Sequence, residues 1–317
     1  MEIVRRARDC GADAIKIQTY TPDTMTIDCR REWFVVPGNT PWQGKTLYEL
    51  YGEAYTPWDW HEPLQAEAQR LGMEFFSTPF DATAVDFLER LNVPAYKVAS
   101  FELVDIPLLR KIGRTDRAVI VSTGMATLAE IREGVETLRG AGTSEIVLLK
   151  CTSGYPAQPA EMNLRTIPDM ALKFDAPVGL SDHTLGSATA IAAVALGAVL
   201  VEKHFTLRRK DGGPDSSFSM EPAEFKAMVG DIRLVEQALG RVNYQPTPTE
   251  KNSLVFRRSL FVIADMKKGE VFAASNVRAI RPGHGLHTRH LKEVLGRRAE
   301  CDIMRGTPLS WNLISGS

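Results

Sequence analysis

Two histidines could bind a metal, because each stands at the end of an apolar run that predicts a β-strand. His183 follows the run Pro177–Ser181, and His204 ends the run Leu200–His204, one strand–helix–strand unit further on. Such a spacing places both imidazoles at the ends of adjacent strands, close in space. Neutral imidazoles with open coordination positions suit Mn²⁺, Zn²⁺ or a similar ion. The flanking carboxylates of Asp182 and Glu202 strengthen the prediction of a metal site.

Two lysines interrupt strand-like apolar runs elsewhere in the sequence. Lys16 lies within Ala14–Thr19, and Lys97 lies within Ala95–Ala99. Burying an ammonium without a partner is costly, so an inward lysine needs an anionic partner or ligand. Together the two lysines predict a cradle for a phosphate or a carboxylate. A lysine that forms a Schiff base with a carbonyl substrate is the alternative.

Polar side chains follow most of the other predicted strands. A single serine or threonine in such a place is usually a helix cap or a turn residue. Here polar residues recur at the end of one predicted strand after another. This recurrence predicts a polar pocket at the carboxyl ends of parallel strands, where barrel enzymes have their active sites. The residues are Gln18, Thr78, Ser100, Glu102, Ser122, Ser153, Tyr155 and Ser181.

The elements that must position these residues alternate between strands and helices, which favours a parallel α/β fold. Asp81 predicts the start of one helix, and a capping box at Thr127-x-x-Glu130 predicts another. The chain opens on a helix, and seven strands follow. That number fits either a (β/α)₈ barrel whose first strand is absent or a doubly wound sheet, although GxGxxG is missing. The predicted strands are Ala14–Thr19, Glu74–Thr78, Ala95–Ala99, Ala118–Ser122, Ile146–Cys151, Pro177–Ser181 and Leu200–His204.

The C-terminal quarter has a different pattern from the rest of the chain. A long amphipathic helix ends at Gly240, and the polar stretch 241–258 reads as a linker. From 259 onward short strands and turns predict a small β-rich domain. We therefore expect a large α/β domain over 1–240 and a second domain over 259–317. The insert 28–60, which is rich in Trp, Gly and Pro, predicts a lid or a wall of the pocket.

Composition excludes several classes of partner. Lys plus Arg number 38 and Asp plus Glu number 39, so no net field attracts nucleic acid or an acidic membrane. The longest apolar stretch, Ala188–Val201, is shorter than the roughly 20 residues that span a bilayer. Four cysteines without CxxC spacing indicate a reducing compartment, so we expect a cytoplasmic protein.

Several long motifs stand in a fixed order along the chain. They include Gly11-Ala-Asp-Ala-Ile-Lys-Ile-Gln-Thr-Tyr, Tyr96-Lys-Val-Ala-Ser-Phe-Glu, Gly179-Leu-Ser-Asp-His-Thr, Val201-Glu-Lys-His-Phe-Thr, Asp211-Gly-Gly-Pro-Asp-Ser-Ser-Phe-Ser-Met and Arg281-Pro-Gly-His-Gly-Leu-His. These motifs resemble the sialic acid synthase family, and within it the members that make pseudaminic acid. The likeness covers essentially the whole chain. It implies a (β/α)₈ TIM barrel followed by a small antifreeze-like (SAF) domain, arranged as a domain-swapped homodimer.

The resemblance also implies a reaction and a set of roles. Phosphoenolpyruvate condenses with 2,4-diacetamido-2,4,6-trideoxy-altrose and releases phosphate; synthesis of N-acetylneuraminate or legionaminate is the alternative. His183 and His204 hold Mn²⁺ or Mg²⁺, and Arg281 reaches into the partner's barrel to grip the sugar. The catalytic residues are Lys16, Glu102, Tyr155 and Asp215, and those that bind substrate are Gln18, Thr78, Lys97, Ser100, Ser122, Ser153, Ser181 and Arg281.

In one respect the sequence departs from the family. Members begin with a strand that carries a catalytic Glu and an Asn-His-Asn-Gly-like run, and this sequence starts after such a strand. We expect the strands at the two ends of the sheet to lack a partner, and the chain as written to be inactive or poorly folded. A catalytically impaired sugar-binding paralogue is therefore the alternative from a different functional class.

Overall fold

A computed structural model describes residues 1–38, 40 and 42–316 of the chain. It divides the chain into two compact units, Met1–Gly240 and Arg241–Ser317. Within the described ranges, none of the helices combines the length and the apolar content that crossing a bilayer requires.

The first unit is built on one parallel sheet. Each strand pairs with the next in chain order, from β1 to β7, and all six pairings are parallel. The predicted parallel α/β fold and its strand count are therefore confirmed for the described residues. The strands are β1 (Ala14–Thr19), β2 (Glu74–Pro79), β3 (Ala95–Val98), β4 (Ala118–Ser122), β5 (Ile146–Cys151), β6 (Val178–Asp182) and β7 (Val201–Lys203).

Helices precede β1 and connect the successive strands. The predicted helix starts are confirmed: Asp81 accepts hydrogen bonds from the amides of Thr83 and Ala84, and Thr127 forms a capping box with Glu130. Such caps each stabilise a helix by about 1 kcal/mol. The helices are α1 (Glu2–Asp9), α2 (Pro22–Met25), α3 (Leu47–Ala54), α4 (His61–Arg70), α5 (Ala82–Arg90), α6 (Ile106–Gly113), α7 (Leu128–Ala141), α8 (Thr166–Phe174), α9 (Ala188–Ala195) and α10 (Pro222–Leu239).

The two faces of the sheet pack against apolar layers of different size. The outer face packs against the helices in one large apolar core that includes Val98 and Val121. The inner face carries a smaller apolar layer of Phe76, Ile120 and Leu149. Because side chains alternate along a strand, the residues two positions further on point the same way. The inner face therefore changes from apolar to polar towards the carboxyl ends of the strands.

The first and last strands form the two edges of this sheet. No hydrogen-bonded ladder joins β1 to β7 in the part of the chain that the structure describes, which confirms the expectation that the end strands lack a partner. A groove of about 680 Å³ runs between them and is lined by residues of α1, β1, β7 and α10. An ion pair from Lys16 to Glu202 nevertheless crosses between the edges, so the sheet is curled.

The second unit is small and rich in short β-bridges. Strands β8 (Ser259–Val262) and β9 (Val277–Ile280) pair antiparallel, and the short helices are α11 (Pro248–Lys251) and α12 (Leu291–Val294). Its core includes Leu260, Phe272 and Leu309. Strand β8 begins at Ser259, where the sequence predicts the start of the β-rich domain.

Candidate active site

Three charged side chains meet on the inner face of the curled sheet. Lys16 Nζ of β1 lies 2.9 Å from Glu202 Oε1 of β7, and Lys97 Nζ of β3 lies 3.8 Å from Glu202 Oε2. Lys97 also donates hydrogen bonds to Ser122 Oγ at 2.6 Å and to the Val98 carbonyl at 3.0 Å. Two ammonium groups share one carboxylate here. This interior cluster of Lys16, Lys97, Ser122 and Glu202 thus carries a net positive charge that suits a phosphate or a carboxylate.

Burial and mutual attraction act on the pKa values of the interior cluster. Burial lowers the pKa of Lys97 to about 8; Glu202 opposes the shift, and Lys16 adds to it. Burial by itself would raise the pKa of Glu202, but the two neighbouring ammonium groups outweigh it and bring that pKa to about 2. Glu202 therefore remains ionised at neutral pH, and Lys97 exchanges its proton far more readily than an exposed lysine.

Serine hydroxyls gather beside the interior cluster around Gly124. The Gly124 amide donates to Ser100 Oγ at 3.0 Å. A Cβ at this position would lie 2.3 Å from Ser153 Oγ and 2.8 Å from Ser100 Oγ, so only glycine lets the two hydroxyls approach the backbone. Ser181, which is 3% exposed, lies opposite Cys151 in the sheet register. These neutral donors add directional hydrogen bonds to the charge of the lysines.

Two buried side-chain oxygens have no hydrogen-bond partner among the described residues. They are Thr78 Oγ1 at the end of β2 and Glu102 Oε2 in the turn after β3. Burial raises the pKa of Glu102 to about 7. Buried polar atoms are nearly always paired in native proteins, so each of these marks a position for a ligand or a water. Glu102 is therefore poised to exchange a proton near neutral pH.

The two histidines lie side by side directly after β6 and β7. Their ring centroids are 5.4 Å apart. His183 Nδ1 lies 3.0 Å from the Thr152 carbonyl, which only accepts, so Nδ1 carries the proton and Nε2 keeps its lone pair. Burial lowers the pKa of His183, but contact with the Cys151 sulfur outweighs this and raises it. His204 Nδ1 lies 3.4 Å from Asp215 Oδ2.

The donor set at this point fits a divalent ion with open coordination positions. The two imidazole rings lie next to each other. The Thr152 carbonyl orients the His183 ring, as carbonyls orient ligand histidines in known metal sites. Within the described residues, no group of three or more His, Cys, Asp or Glu side chains converges on one point. Two imidazoles leave coordination positions open for water and substrate, and open positions are a feature of catalytic rather than structural metal sites.

Aromatic side chains wall the histidines on one side. The Tyr155 ring lies 4.4 Å from the His183 ring and 5.3 Å from the Phe218 ring. Trp42, from the insert over 28–60, packs on Tyr155 at 5.7 Å and donates to the Pro214 carbonyl at 2.8 Å. Burial raises the pKa of Tyr155 well above its usual value, so the phenol stays neutral. The insert thus supplies a wall of the pocket, as predicted.

The structure brings most of the predicted site residues together in the first unit. Gln18 lies opposite Thr78 in the register of β1 and β2, on the face that carries Lys16. Arg281 is exposed in the second unit, directly after β9. Glu202 was predicted only as a neighbour of the histidines, and its bridge to both lysines was missed. The signal was present, because Glu202 precedes His204 by two residues and so shares its face of the strand.

Two family profiles together account for nearly the whole chain. The profile of the NeuB family matches residues 3–244. The profile of the SAF domain matches residues 257–315. The boundary between the two matches falls near the boundary between the two compact units at Gly240.

Individual relatives agree with these matches over almost their full length. The chain is 42% identical to "Pseudaminic acid synthase" of Helicobacter pylori over 98% of this chain and 91% of that protein. It is 36% identical to "N,N'-diacetyllegionaminic acid synthase" of Legionella pneumophila over 99% of this chain and 89% of that protein. Among solved structures, an N-acetylneuraminic acid synthetase from Leptospira borgpetersenii in complex with citrate superposes with a TM-score of 0.70 at 29% identity, covering 80% of this chain and 83% of that one.

Proposed function

Because the chain belongs to the NeuB family, we propose that it is a synthase that condenses phosphoenolpyruvate with an amino-sugar aldehyde. The product is a nine-carbon sugar acid, and the sugar is 2,4-diacetamido-2,4,6-trideoxy-altrose. The observation that carries the proposal is the interior cluster, in which Lys16 and Lys97 converge on Glu202 next to the paired histidines. It supplies a cation-rich site for an enol phosphate beside donors for a carbonyl oxygen.

Each bond change in this reaction has a group nearby that could assist it. Carbon 3 of phosphoenolpyruvate attacks the aldehyde carbon, and the aldehyde oxygen gains a proton. Water adds to the cationic carbon 2, loses its protons, and phosphate departs as the keto acid forms. Lys16 and Lys97 stabilise the phosphate charge without reorganising, because their positions are already fixed. Glu102, with its pKa near 7, carries a proton to or from the reacting atoms.

The metal half of the site is proposed on the donor set. A Mn²⁺ or Mg²⁺ ion held by His183 and His204 would polarise the aldehyde oxygen as a Lewis acid. Asp215 orients His204 through Nδ1, and the Thr152 carbonyl orients His183. The Tyr155 ring lies 4.4 Å from the His183 ring and 6.5 Å from the His204 ring, so it would form one wall of the pocket around the ion.

The identity of the sugar rests on degrees of similarity. Relatives named for pseudaminic acid are 42–43% identical to this chain, and those named for legionaminic acid are 35–36% identical. The difference favours the altrose-type sugar, and the legionaminic precursor is the second candidate. Chromatography and mass spectrometry of reactions offered one sugar at a time decide between them. A nine-carbon acid formed only from a mannose-type sugar would contradict our choice of substrate.

The remaining parts of the proposal concern organisation. We propose a barrel domain over 1–240, a linker over 241–258 and a SAF domain over 259–317, which the two profile matches support. Exposed Arg281 would reach the barrel of a partner subunit in a domain-swapped homodimer. Sedimentation velocity and a mixing experiment between Lys97→Met and Arg281→Ala chains test this, because the mixed dimer alone would contain one intact site. The free thiols support a cytoplasmic location.

The central experiment measures phosphate release. It tests the proposal against the expectation that a chain with unpaired edge strands is inactive: an active synthase incubated with phosphoenolpyruvate, Mn²⁺ and the altrose-type aldehyde should release one phosphate per nine-carbon acid formed. Lys97→Met should lower kcat/KM for release about 10²–10³-fold, while Lys111→Met, which removes a lysine paired with Asp86 at the surface, should not. Absence of product with every aldehyde, in a chain that is folded by circular dichroism, would refute the synthase and favour the sugar-binding paralogue.

A further inference from the structure

A second pair of charges lies behind the histidines, on the outer face of the same two strands. Asp182 is the last residue of β6 and Lys203 the last of β7, and they stand opposite each other in the register. Lys203 Nζ lies 2.7 Å from Asp182 Oδ2, and the two side chains are 1% and 0% exposed. Removing both charges from water is costly, and good geometry together with further hydrogen bonds offsets that cost.

Two threonines complete the hydrogen bonding of this pair. Asp182 Oδ1 accepts from the amide and the hydroxyl of Thr184 at 2.9 and 2.8 Å. Asp182 Oδ2 accepts from Thr189 Oγ1 at 2.8 Å, and Lys203 Nζ also donates to the Thr184 carbonyl at 2.5 Å. Thr189 belongs to α9. These four residues, Asp182, Thr184, Thr189 and Lys203, form an outer-face network that joins two strands, a loop and a helix.

The outer-face network brackets both histidines along the chain. Lys203 directly precedes His204 in the chain. Its ammonium donates to Asp182 and Thr184, the two residues on either side of His183. The Lys203 side chain thus fixes the residues on both sides of His183. It does so relative to the strand β7 backbone that leads into His204. No atom of the network needs to touch the pocket for this to happen, because strand alternation sends its side chains to the opposite face.

We propose that the outer-face network is a positioning device that sets the spacing of His183 and His204 for metal binding. The inference rests on the proposed function in one respect, that the two imidazoles share an ion. Lys203, Asp182, Thr184 and Thr189 are positioning residues and contact neither substrate nor metal. Loss of any one of them widens the distribution of distances between the imidazoles, and metal affinity falls while the interior cluster stays intact.

The first test removes one hydroxyl at nearly constant volume. Thr189→Val deletes the bond to Asp182 and the contact with Thr184 Oγ1. The matched control is Thr143→Val, a buried threonine whose hydroxyl faces the Gly113 carbonyl far from the histidines. We expect Thr189→Val to bind Mn²⁺ about tenfold more weakly by calorimetry, as outer-shell changes do in known metal sites, and to broaden the Mn²⁺ paramagnetic resonance spectrum. Thr143→Val should match the parent chain in both.

The second test replaces the whole charge pair. Lys203→Met combined with Asp182→Leu removes both charges, and such apolar replacement of a buried pair usually preserves folding. We expect a melting temperature close to that of the parent and Mn²⁺ binding weakened at least as much as in Thr189→Val. If the double variant does not fold, the comparison of Thr189→Val with Thr143→Val decides alone.

The outcomes separate this inference from the proposed function. Parent-like Mn²⁺ affinity and spectrum in folded Thr189→Val would overturn the positioning role and leave the synthase proposal untouched. A parent chain that binds no Mn²⁺ would overturn both the positioning role and the metal half of the proposed function. Weaker Mn²⁺ binding with an unchanged dissociation constant for phosphoenolpyruvate, measured without metal, would support the positioning role specifically.

Discussion

At the carboxyl ends of the strands, the two faces of the sheet differ in how completely their buried polar groups are hydrogen-bonded. On the inner face, Lys97 shares Glu202 with Lys16, and nearby Thr78 Oγ1 and Glu102 Oε2 have no partner among the described residues. On the outer face, every side-chain nitrogen and oxygen atom of Asp182 and Lys203 has a hydrogen-bond partner. The same strands thus present an incomplete polar surface on one side and a complete one on the other.

The difference teaches how buried polar groups divide their roles. A complete network rigidifies the backbone and leaves no group for a ligand. An incomplete one raises the free energy of the empty protein, and a ligand that supplies the missing partners recovers that free energy on binding. Changes on the outer face should therefore act first on stability, and changes on the inner face first on activity.

The largest expected effect on stability comes from removing one outer charge. Lys203→Met leaves the Asp182 carboxylate buried without its ammonium and should lower the free energy of unfolding by about 3–5 kcal/mol. Urea denaturation measures it. Lys111→Met is the control, because its partly exposed pair with Asp86 should be worth only about 0–1 kcal/mol. Equal losses in the two variants would remove the distinction between a dry pair and a surface pair.

The corresponding change on the inner face should separate activity from stability. Lys97→Met should lower kcat/KM about 10²–10³-fold, because a fixed donor to developing charge is lost. The free energy of unfolding should fall much less than in Lys203→Met, since Glu202 keeps its 2.9 Å pair with Lys16. Steady-state phosphate release and urea denaturation of the same preparation measure both quantities. A variant as unstable as Lys203→Met would show that Lys97 is chiefly structural.

Glu102 gives the inner face a pH dependence. Its pKa rises from 4.5 to about 7 in the folded chain, so the unfolded state ionises first as the pH rises. The contribution of the neutral carboxyl to the free energy of unfolding is therefore fully present below about pH 4.5. Up to about 3 kcal/mol of it is lost as the pH rises to 7. Glu102→Gln should abolish this loss. Melting temperatures of the two chains between pH 4 and 8 measure it, and parallel curves would contradict the shifted pKa.

The strands and the inward direction of their polar residues could be predicted from the sequence. Near-continuous apolar runs fix parallel strands to within one or two residues, as β1 and β4 show. A period of two then assigns Lys16 and Gln18 to one face. The prediction of neighbouring imidazoles needed only adjacent parallel strands, and the ring separation of 5.4 Å agrees with it.

The contacts that close the site could not be predicted, because they depend on how far the sheet curls. Glu202 meets Lys16 across 186 positions of sequence and between two strands that share no ladder. The sequence shows a glutamate in the correct register but not its partner. Lys203 likewise reads as one more charge in a strand. Its partner Asp182 also accepts a hydrogen bond from Thr189, and Thr189 reaches Asp182 only through the packing of α9, which no local pattern encodes.

The smallest effects on the free energy of unfolding are expected at two buried threonines, one on each face of the sheet. Thr78→Val removes a hydroxyl that has no partner, so the free energy of unfolding should stay constant or rise by about 1 kcal/mol, while KM for phosphoenolpyruvate increases. Thr184→Val removes a hydroxyl bonded to Asp182 and should lower the free energy of unfolding by about 1–3 kcal/mol. Urea denaturation and initial rates on both variants test the pair. If Thr78→Val destabilised the chain as much as Thr184→Val, the inner face would already be satisfied without its ligand, and the contrast between the two faces would not hold.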